Sequence, residues 1–188
     1  MPKNKYIQTP EFRLVFPALF TPRAYEGSSK EKYSCIMLFA KGTDLSALKE
    51  ACKEAYEAEF PQGAKGARSP LCDGNEKVDE WGEAFRDAIY VRASSIMKPG
   101  VCDRRKALIT EPDVVYSGQY ARAMVHAYAY NTMGNKGVSI GLDAVQIVRD
   151  GEPLGGGAAM VNSFDDLGEG ESGSDAPKTA STAGGLFD

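Results

Sequence analysis

The chain is short of the residues that metal sites and secreted scaffolds rely on. Of 188 residues, four are cysteine and one is histidine. Cys35, Cys52, Cys72 and Cys102 form no Cys-x-x-Cys pair, and His126 stands alone. Zinc modules need closely spaced thiolate and imidazole ligands, so this spacing speaks against one. In a reducing compartment the four thiols are expected to stay free and to pack as small apolar groups. No uninterrupted apolar run reaches about 18 residues, which argues against a membrane-spanning helix. The first residues, Met1-Pro2-Lys3-Asn4-Lys5-Tyr6, lack the apolar stretch of a secretory signal. The expectation is a cytoplasmic protein with no metal, no cofactor and no membrane partner.

Positive charge is also in deficit. Lys and Arg total 22 against 26 Asp and Glu, a formal net charge of −4. Taken alone, that sum argues against a partner made of phosphate. Its distribution does not. Residues 164–188 carry Asp165, Asp166, Glu169, Glu171, Asp175 and Asp188 against Lys178 alone, a net of −5, which leaves +1 for the rest. A near-neutral core can still present a basic stripe, because the local field outweighs the sum. Between Asp165 and Gly185 the chain is mostly Gly, Ser, Ala, Thr and acid, with little to bury. Such a segment cannot offset the entropy of ordering. We therefore expect a folded core over residues 1–163 and a disordered acidic tail over residues 164–188. The tail ends in Leu186-Phe187-Asp188, two apolar residues and an acid on a solvated tether, which reads as bait for a protein partner.

Within the core the patterning is mainly β. Phe12 to Phe16, ending at Pro17, Lys32 to Phe39 and Ile89 to Ser94 read as strands. Gln119 to Asn131 is a long alternating run, and Val138 to Arg149 follows it across a Gly- and Asn-containing hairpin turn. The apolar phase shifts near Asp143, which predicts a bulge. One helix is expected after Thr43 or Asp44, with Leu45, Leu48, Cys52 and Ala55 on one face and Pro61 beyond its end. A shorter helix is expected near residues 79–87, and a long loop over residues 61–78. Five or so strands with one helix inserted after the second predict an OB-fold-like five-stranded barrel.

The run from Gln119 to Tyr130 carries the functional signal. One parity is Gln119, Ala121, Ala123, Val125, Ala127 and Ala129; the other is Tyr120, Arg122, Met124, His126, Tyr128 and Tyr130. Successive strand side chains point to opposite faces. One face is thus small and apolar, suited to a core, and the other is aromatic and basic. Tyr90 and Arg92 repeat that chemistry one strand earlier, whereas the parity of Tyr33 in its own strand leaves its face open. Unstacked bases stack on aromatic rings while Arg and Lys contact phosphate. The candidate DNA-binding residues are Tyr33, Tyr90, Arg92, Lys98, Arg104, Arg105, Tyr120, Arg122, His126, Tyr128 and Lys136. An ordinary solvated sheet face would share this composition.

Two other classes compete. Asp73, Asp79, Glu80, Glu83 and Asp87 form an acidic cluster that could hold magnesium in a nuclease. The same carboxylates suit the solvated side of a short helix. A small barrel could instead be an adaptor that binds protein.

Several separated segments resemble one family. They are Tyr116-Ser117-Gly118-Gln119-Tyr120-Ala121-Arg122, Tyr128-Ala129-Tyr130-Asn131, Gly134-Asn135-Lys136-Gly137, and the stretch from Val145 through Arg149-Asp150-Gly151 to Gly156. Upstream, Lys32-Tyr33-Ser34, Pro70-Leu71, Asp73-Gly74, Ala93-Ser94-Ser95, Pro99-Gly100 and Asp103 add to it. Together they resemble the single-stranded-DNA-binding proteins of tailed bacteriophages over roughly residues 10–166. The resemblance implies an OB-fold core that binds single-stranded DNA in phage replication or recombination without catalysis. It also implies a tail that recruits replication or recombination proteins. Duplex DNA as a weaker ligand and a homo-oligomeric state are left open.

Overall fold

The computed structural model describes residues 5–24 and 28–155. The 163/164 boundary, the acidic tail and the Leu186-Phe187-Asp188 tip lie outside the described residues. The strands are β1 (Ile7–Gln8), β2 (Phe12–Ala24), β3 (Glu31–Ala40), β4 (Leu71–Asp73), β5 (Ala88–Ser95), β6 (Gly100–Cys102), β7 (Tyr120–Thr132) and β8 (Asn135–Arg149). Helix α1 (Ser46–Glu59) follows β3, and the single turn α2 (Val78–Trp81) precedes β5.

Five strands close into a ring. β2 pairs with β3 and β3 with β5, both antiparallel. β5 pairs with β8 in parallel, β8 with β7 antiparallel, and β7 returns to β2 through Phe12↔Ala121 and Arg13↔Tyr120. This is the expected OB-fold barrel with its helix after the second strand. The short strands β1, β4 and β6 extend it by pairing with β7, β5 and β8. At two or three residues they are too brief for any periodicity to announce them.

The interior follows from alternation. Phe12 and Leu14 of β2, Cys35, Met37 and Phe39 of β3, and Val91 and Ala93 of β5 are buried in one cluster. Ala121, Ala123 and Val125 of β7 and Ile140, Leu142 and Val145 of β8 complete its sheet side. α1 lays Leu48, Ala51 and Cys52 into the same cluster. Each large apolar side chain so buried contributes about 1.5–3 kcal/mol. β3 is buried on both faces. Ile36 and Leu38, on its other parity, join Val15, Phe85 and Ala88 in a second cluster roofed by Trp81.

Four local expectations are corrected. β2 does not end at Pro17. It runs on through an irregular register between Val15 and Ala18, with Phe16 at φ 47°. Pro17 sits in that break, where a missing N–H costs no ladder bond. The helix expected over residues 79–87 is one turn, stopped by Gly82 at φ 97° and followed by a 3-10 turn at Glu83–Phe85. The 61–78 loop also contains β4 and a 3-10 turn at Gly74–Lys77. Neither Thr43 nor Asp44 takes the cap position of α1, which falls to Leu45 without a side-chain cap bond; Asp44 stands one residue earlier, and its carboxylate accepts the Ser46 amide at 3.0 Å. Those bonds from Ser46 hold the carboxyl below the ordinary aspartate range.

The bulge near Asp143 is present. Met124 pairs with Ala144 and Val125 with Leu142, which leaves Asp143 as the extra residue of β8. The β7–β8 hairpin turns on Met133 at φ 51° and Gly134 at φ 83°, the two positive angles of a type I′ turn.

Burial pushes the Cys35 thiol to about 12 and the Cys52 thiol to about 11. The thiolate is the nucleophile, so neither should react at pH 8. We expect a maleimide to label the half-buried Cys72 and Cys102 first, followed by mass spectrometry of the native protein. Early labelling of Cys35 would contradict this core.

Candidate nucleic-acid interface

β7 divides as its alternation requires. Ala121, Ala123 and Val125 are at most 2% exposed, while Tyr120, Arg122, Met124, His126, Tyr128 and Tyr130 occupy the outward parity. The outward residues do not form one surface. They fall into a groove at one end and two separate arrangements at the other. Tyr120 and Tyr128 are eight residues apart, up to about 26 Å along a strand.

The groove lies across β3, β5, β8 and β7. Ser34 pairs with Ser94, Ser94 with Gly141 and Gly141 with His126, so one row crosses four strands. An open cleft of about 500 Å³ over this row is lined by Lys32, Ser94, Lys98, His126, Tyr128 and Asp143, among others. Its rim is the β5–β6 connection, where Ile96 and Met97 are 76% and 75% exposed. The Lys98 ammonium lies 5.6 Å from the Phe20 ring centroid.

His126 is held by its surroundings. Its Nδ1 lies 2.7 Å from Asp143 Oδ2, and its ring meets Tyr6 edge-on at 6.0 Å and Tyr128 at 6.0 Å. The bulge turns Asp143 outward to make that contact. Gly141 makes room for the ring, since a Cβ there would fall 2.2 Å from His126 Cε1 and 2.3 Å from Nε2. The imidazole therefore lies against the sheet as a plate beside Tyr128. Asp143 is the one carboxylate among the lining residues, against Lys32 and Lys98, so the lysines set the sign of the field.

The other candidates lie elsewhere. Arg92 is exposed on the same face of β5 as Ser94. Tyr90 is packed edge-on against Trp81 at 5.5 Å and Phe85 at 5.9 Å, and burial raises its hydroxyl to about 12. Tyr33 shares the inward parity of Cys35 at the barrel end, opposite Ser95. Tyr120 carries the Arg149 guanidinium 3.5 Å above its ring, and Arg149 is paired with Glu11 at 2.8 Å. Arg122 bonds Gln146 at 2.9 Å, facing the turn that bears Arg104 and Arg105. Lys136 sits beside the hairpin, where its carbonyl accepts the Arg68 amide at 2.9 Å. Of the eleven candidates, the groove gathers Lys98, His126 and Tyr128.

Sequence reading missed Lys32, Ile96, Met97, Gly141 and Asp143. Two apolar residues and a lysine directly after a strand, Ile96-Met97-Lys98, were a visible signal. The Gly141–His126 contact was not, because it depends on cross-strand register.

The acidic cluster is dispersed into local bonds. Asp73 accepts the Asn75 amide at 2.9 Å, Glu80 pairs with Lys77 at 2.6 Å, and Glu83 with Arg86 at 2.6 Å. The Lys77 and Arg86 contacts hold Glu80 and Glu83 below the ordinary glutamate range. Among the described residues no three His, Cys, Asp or Glu side chains gather as a metal-ligand set.

The family model of the Enterobacter phage Enc34 ssDNA-binding protein matches residues 5–176. Protein p50 of Acyrthosiphon pisum secondary endosymbiont phage 1 is 35% identical over 169 residues, covering 82% of this chain and 90% of that protein. Solved structures that share the fold include two phage proteins. The ssDNA-binding protein of bacteriophage Enc34, in complex with ssDNA, has a TM-score of 0.69 at 20% identity, over 80% of this chain and 89% of its own. The single-stranded DNA-binding protein gp2.5 of bacteriophage T7 has a TM-score of 0.61 at 12% identity, over 90% and 100%.

Gly141→Ala tests the groove. The added methyl must displace the His126 ring and break its contact with Asp143. As the chain has one histidine, its imidazole signals are assigned without ambiguity in a proton–nitrogen NMR spectrum. We expect those signals to move while the core methyl signals stay. An unmoved imidazole would contradict the packing.

Proposed function

This chain belongs to the family of the Enterobacter phage Enc34 ssDNA-binding protein, and from that premise we propose that it coats single-stranded DNA without sequence preference and without catalysis. It does so during phage DNA replication or recombination, in the host cytoplasm. One observation carries the reading: the groove sets the His126 and Tyr128 rings beside Lys32 and Lys98, under the exposed Ile96 and Met97. Rings offer stacking to any base, and the lysines take the phosphates. A polyanion on this face exchanges condensed counterions for Lys and Arg, so affinity should fall as salt rises. Duplex DNA, whose bases are already stacked, is expected to compete weakly.

The core over residues 1–163 is the binding unit in this proposal. The tail over residues 164–188, with its net charge of −5, competes with DNA for the basic face. Once displaced, it offers Leu186, Phe187 and Asp188 to replication or recombination proteins.

Anisotropy of fluorescein-labelled oligo-dT, with duplex of equal length as competitor, tests the reading. Tight, salt-sensitive binding that prefers the single strand supports it. Absence of binding at low salt would overturn it. Tyr128→Ala should cost about 1–3 kcal/mol, roughly 5- to 150-fold in affinity, if one base stacks there. Lys98→Ala should make the slope of log affinity against log salt shallower by about 0.7, the value of one phosphate contact on a single strand. Removing residues 164–188 should tighten binding at low salt and matter little at high salt. An unchanged low-salt affinity would remove the competition from the proposal.

A further inference from the structure

β6 (Gly100–Cys102) pairs in parallel with β8 at Ala144–Gln146, which brings the turn over residues 103–107 alongside Gln146. That turn is wound on Asp103. Its carboxylate accepts the Arg105 amide at 2.8 Å and the Ala107 amide at 2.9 Å, and its carbonyl accepts the Lys106 amide at 3.0 Å. Lys106 is held at φ 68°, in the left-handed region that non-glycine residues rarely adopt. Asp103 is the one acid of the turn against Arg104, Arg105 and Lys106, so the turn carries a net positive charge.

A single side-chain amide ties this turn to β7. Gln146 Nε2 donates to the carbonyls of Asp103 at 3.2 Å and Arg104 at 3.3 Å. Its Oε1 accepts from Arg122 Nη2 at 2.9 Å. Arg122 Nε is shut off from solvent and has no hydrogen-bond partner among the described residues. A guanidinium in that state is short of acceptors, and a buried donor left unmade is costly. Beside it lies a pocket of about 190 Å³ that takes Lys106, Arg122, Gln8 and Gln146 as its polar wall and includes no carboxylate.

We propose that Gln146 is a positioning residue that locks Arg122 to the turn after β6, so that Arg122 and Lys106 form a preassembled site for one backbone phosphate of single-stranded DNA. The inference rests on the function proposed above. The phosphate is assigned to DNA because Arg122 lies four residues from His126 on the outward side of β7, about 13 Å along the strand, so one bound strand can reach both arrangements. A preset fork loses less freedom on binding than a free one and so holds phosphate more tightly at equal charge.

The test uses variants that leave net charge unchanged. Gln146→Met keeps the length and bulk of the side chain but cannot bridge. Arg122→Lys keeps the charge but loses the fork. Oligo-dT anisotropy would be measured from low to moderate salt on the full chain, with thermal melting alongside. We expect each variant to bind about 3- to 10-fold more weakly at low salt. The slope of log affinity against log salt should become shallower by about 0.7, the loss of one phosphate contact without the loss of a charge. The double variant should be no weaker than the weaker single one, because both changes break one unit. A wild-type slope in Gln146→Met, whatever its melting temperature, would overturn the proposal and leave Gln146 a structural role. Should Gln146→Met fail to fold, the slope of Arg122→Lys decides in the same way. Absence of oligo-dT binding by the unaltered protein would overturn the functional reading, and this inference with it. That result is distinct from a protein that binds with an unaltered slope.

Discussion

Close approach of β7 to the core is the constraint on which the outer face depends. Ala121 and Ala123 offer so little volume that the strand beds against α1 and the opposite wall of the barrel. A larger inward side chain would overpack that contact, at about 1–3 kcal/mol. It would also lift the strand and every outward residue with it. The same economy operates on the outside at Gly141, where the missing side chain lets an imidazole lie on the sheet. Small residues on two adjacent strands thus decide where the large ones can go.

Alternation was what made the barrel legible. Runs of small or apolar residues at every second position of β5, β7 and the hairpin partner of β7 marked strands and their buried sides. The phase change at Asp143 marked a bulge. The strand end expected at Pro17 fails for a physical reason: proline stops a ladder only where its N–H is needed, and β2 is irregular there. The site was legible in chemistry but not in position. Parity placed Tyr120, Arg122, His126 and Tyr128 on one face correctly, yet a face 13 residues long can hold several unrelated arrangements. Tyr120 is clasped by Arg149, Arg122 is tied to a loop, and the groove assembles around His126. Arg149, Gln146 and Asp143 come from the hairpin neighbour β8, but Lys32, Ser94 and Lys98 reach the groove from strands and a loop distant in sequence, whose placement no local pattern encodes.

Net charge is a sum over the whole chain and says little about one face, where the placement of each acid decides the field. Asp143 is engaged by His126, Asp103 by two backbone amides, and Glu11 by Arg149. Each of these three carboxylates is bonded to a neighbour at short range. Only Glu11 meets a full cation; Asp103 and Asp143 keep their charge and are outnumbered locally, Asp103 by Arg104, Arg105 and Lys106 and Asp143 by Lys32 and Lys98.

The ring of strands has two thin joints. β2 meets β7 through two residue pairs, and β5 meets β8 through Ala93↔Ile140 and Ser94↔Gly141 alone. The other contacts of the ring are long ladders. The row that floors the groove, from Ser34 to His126, crosses the second of these joints. Anything lodged along that row and held at both ends would act as a strap across the barrel's own opening, and its grip would be set partly by how firmly two rungs hold.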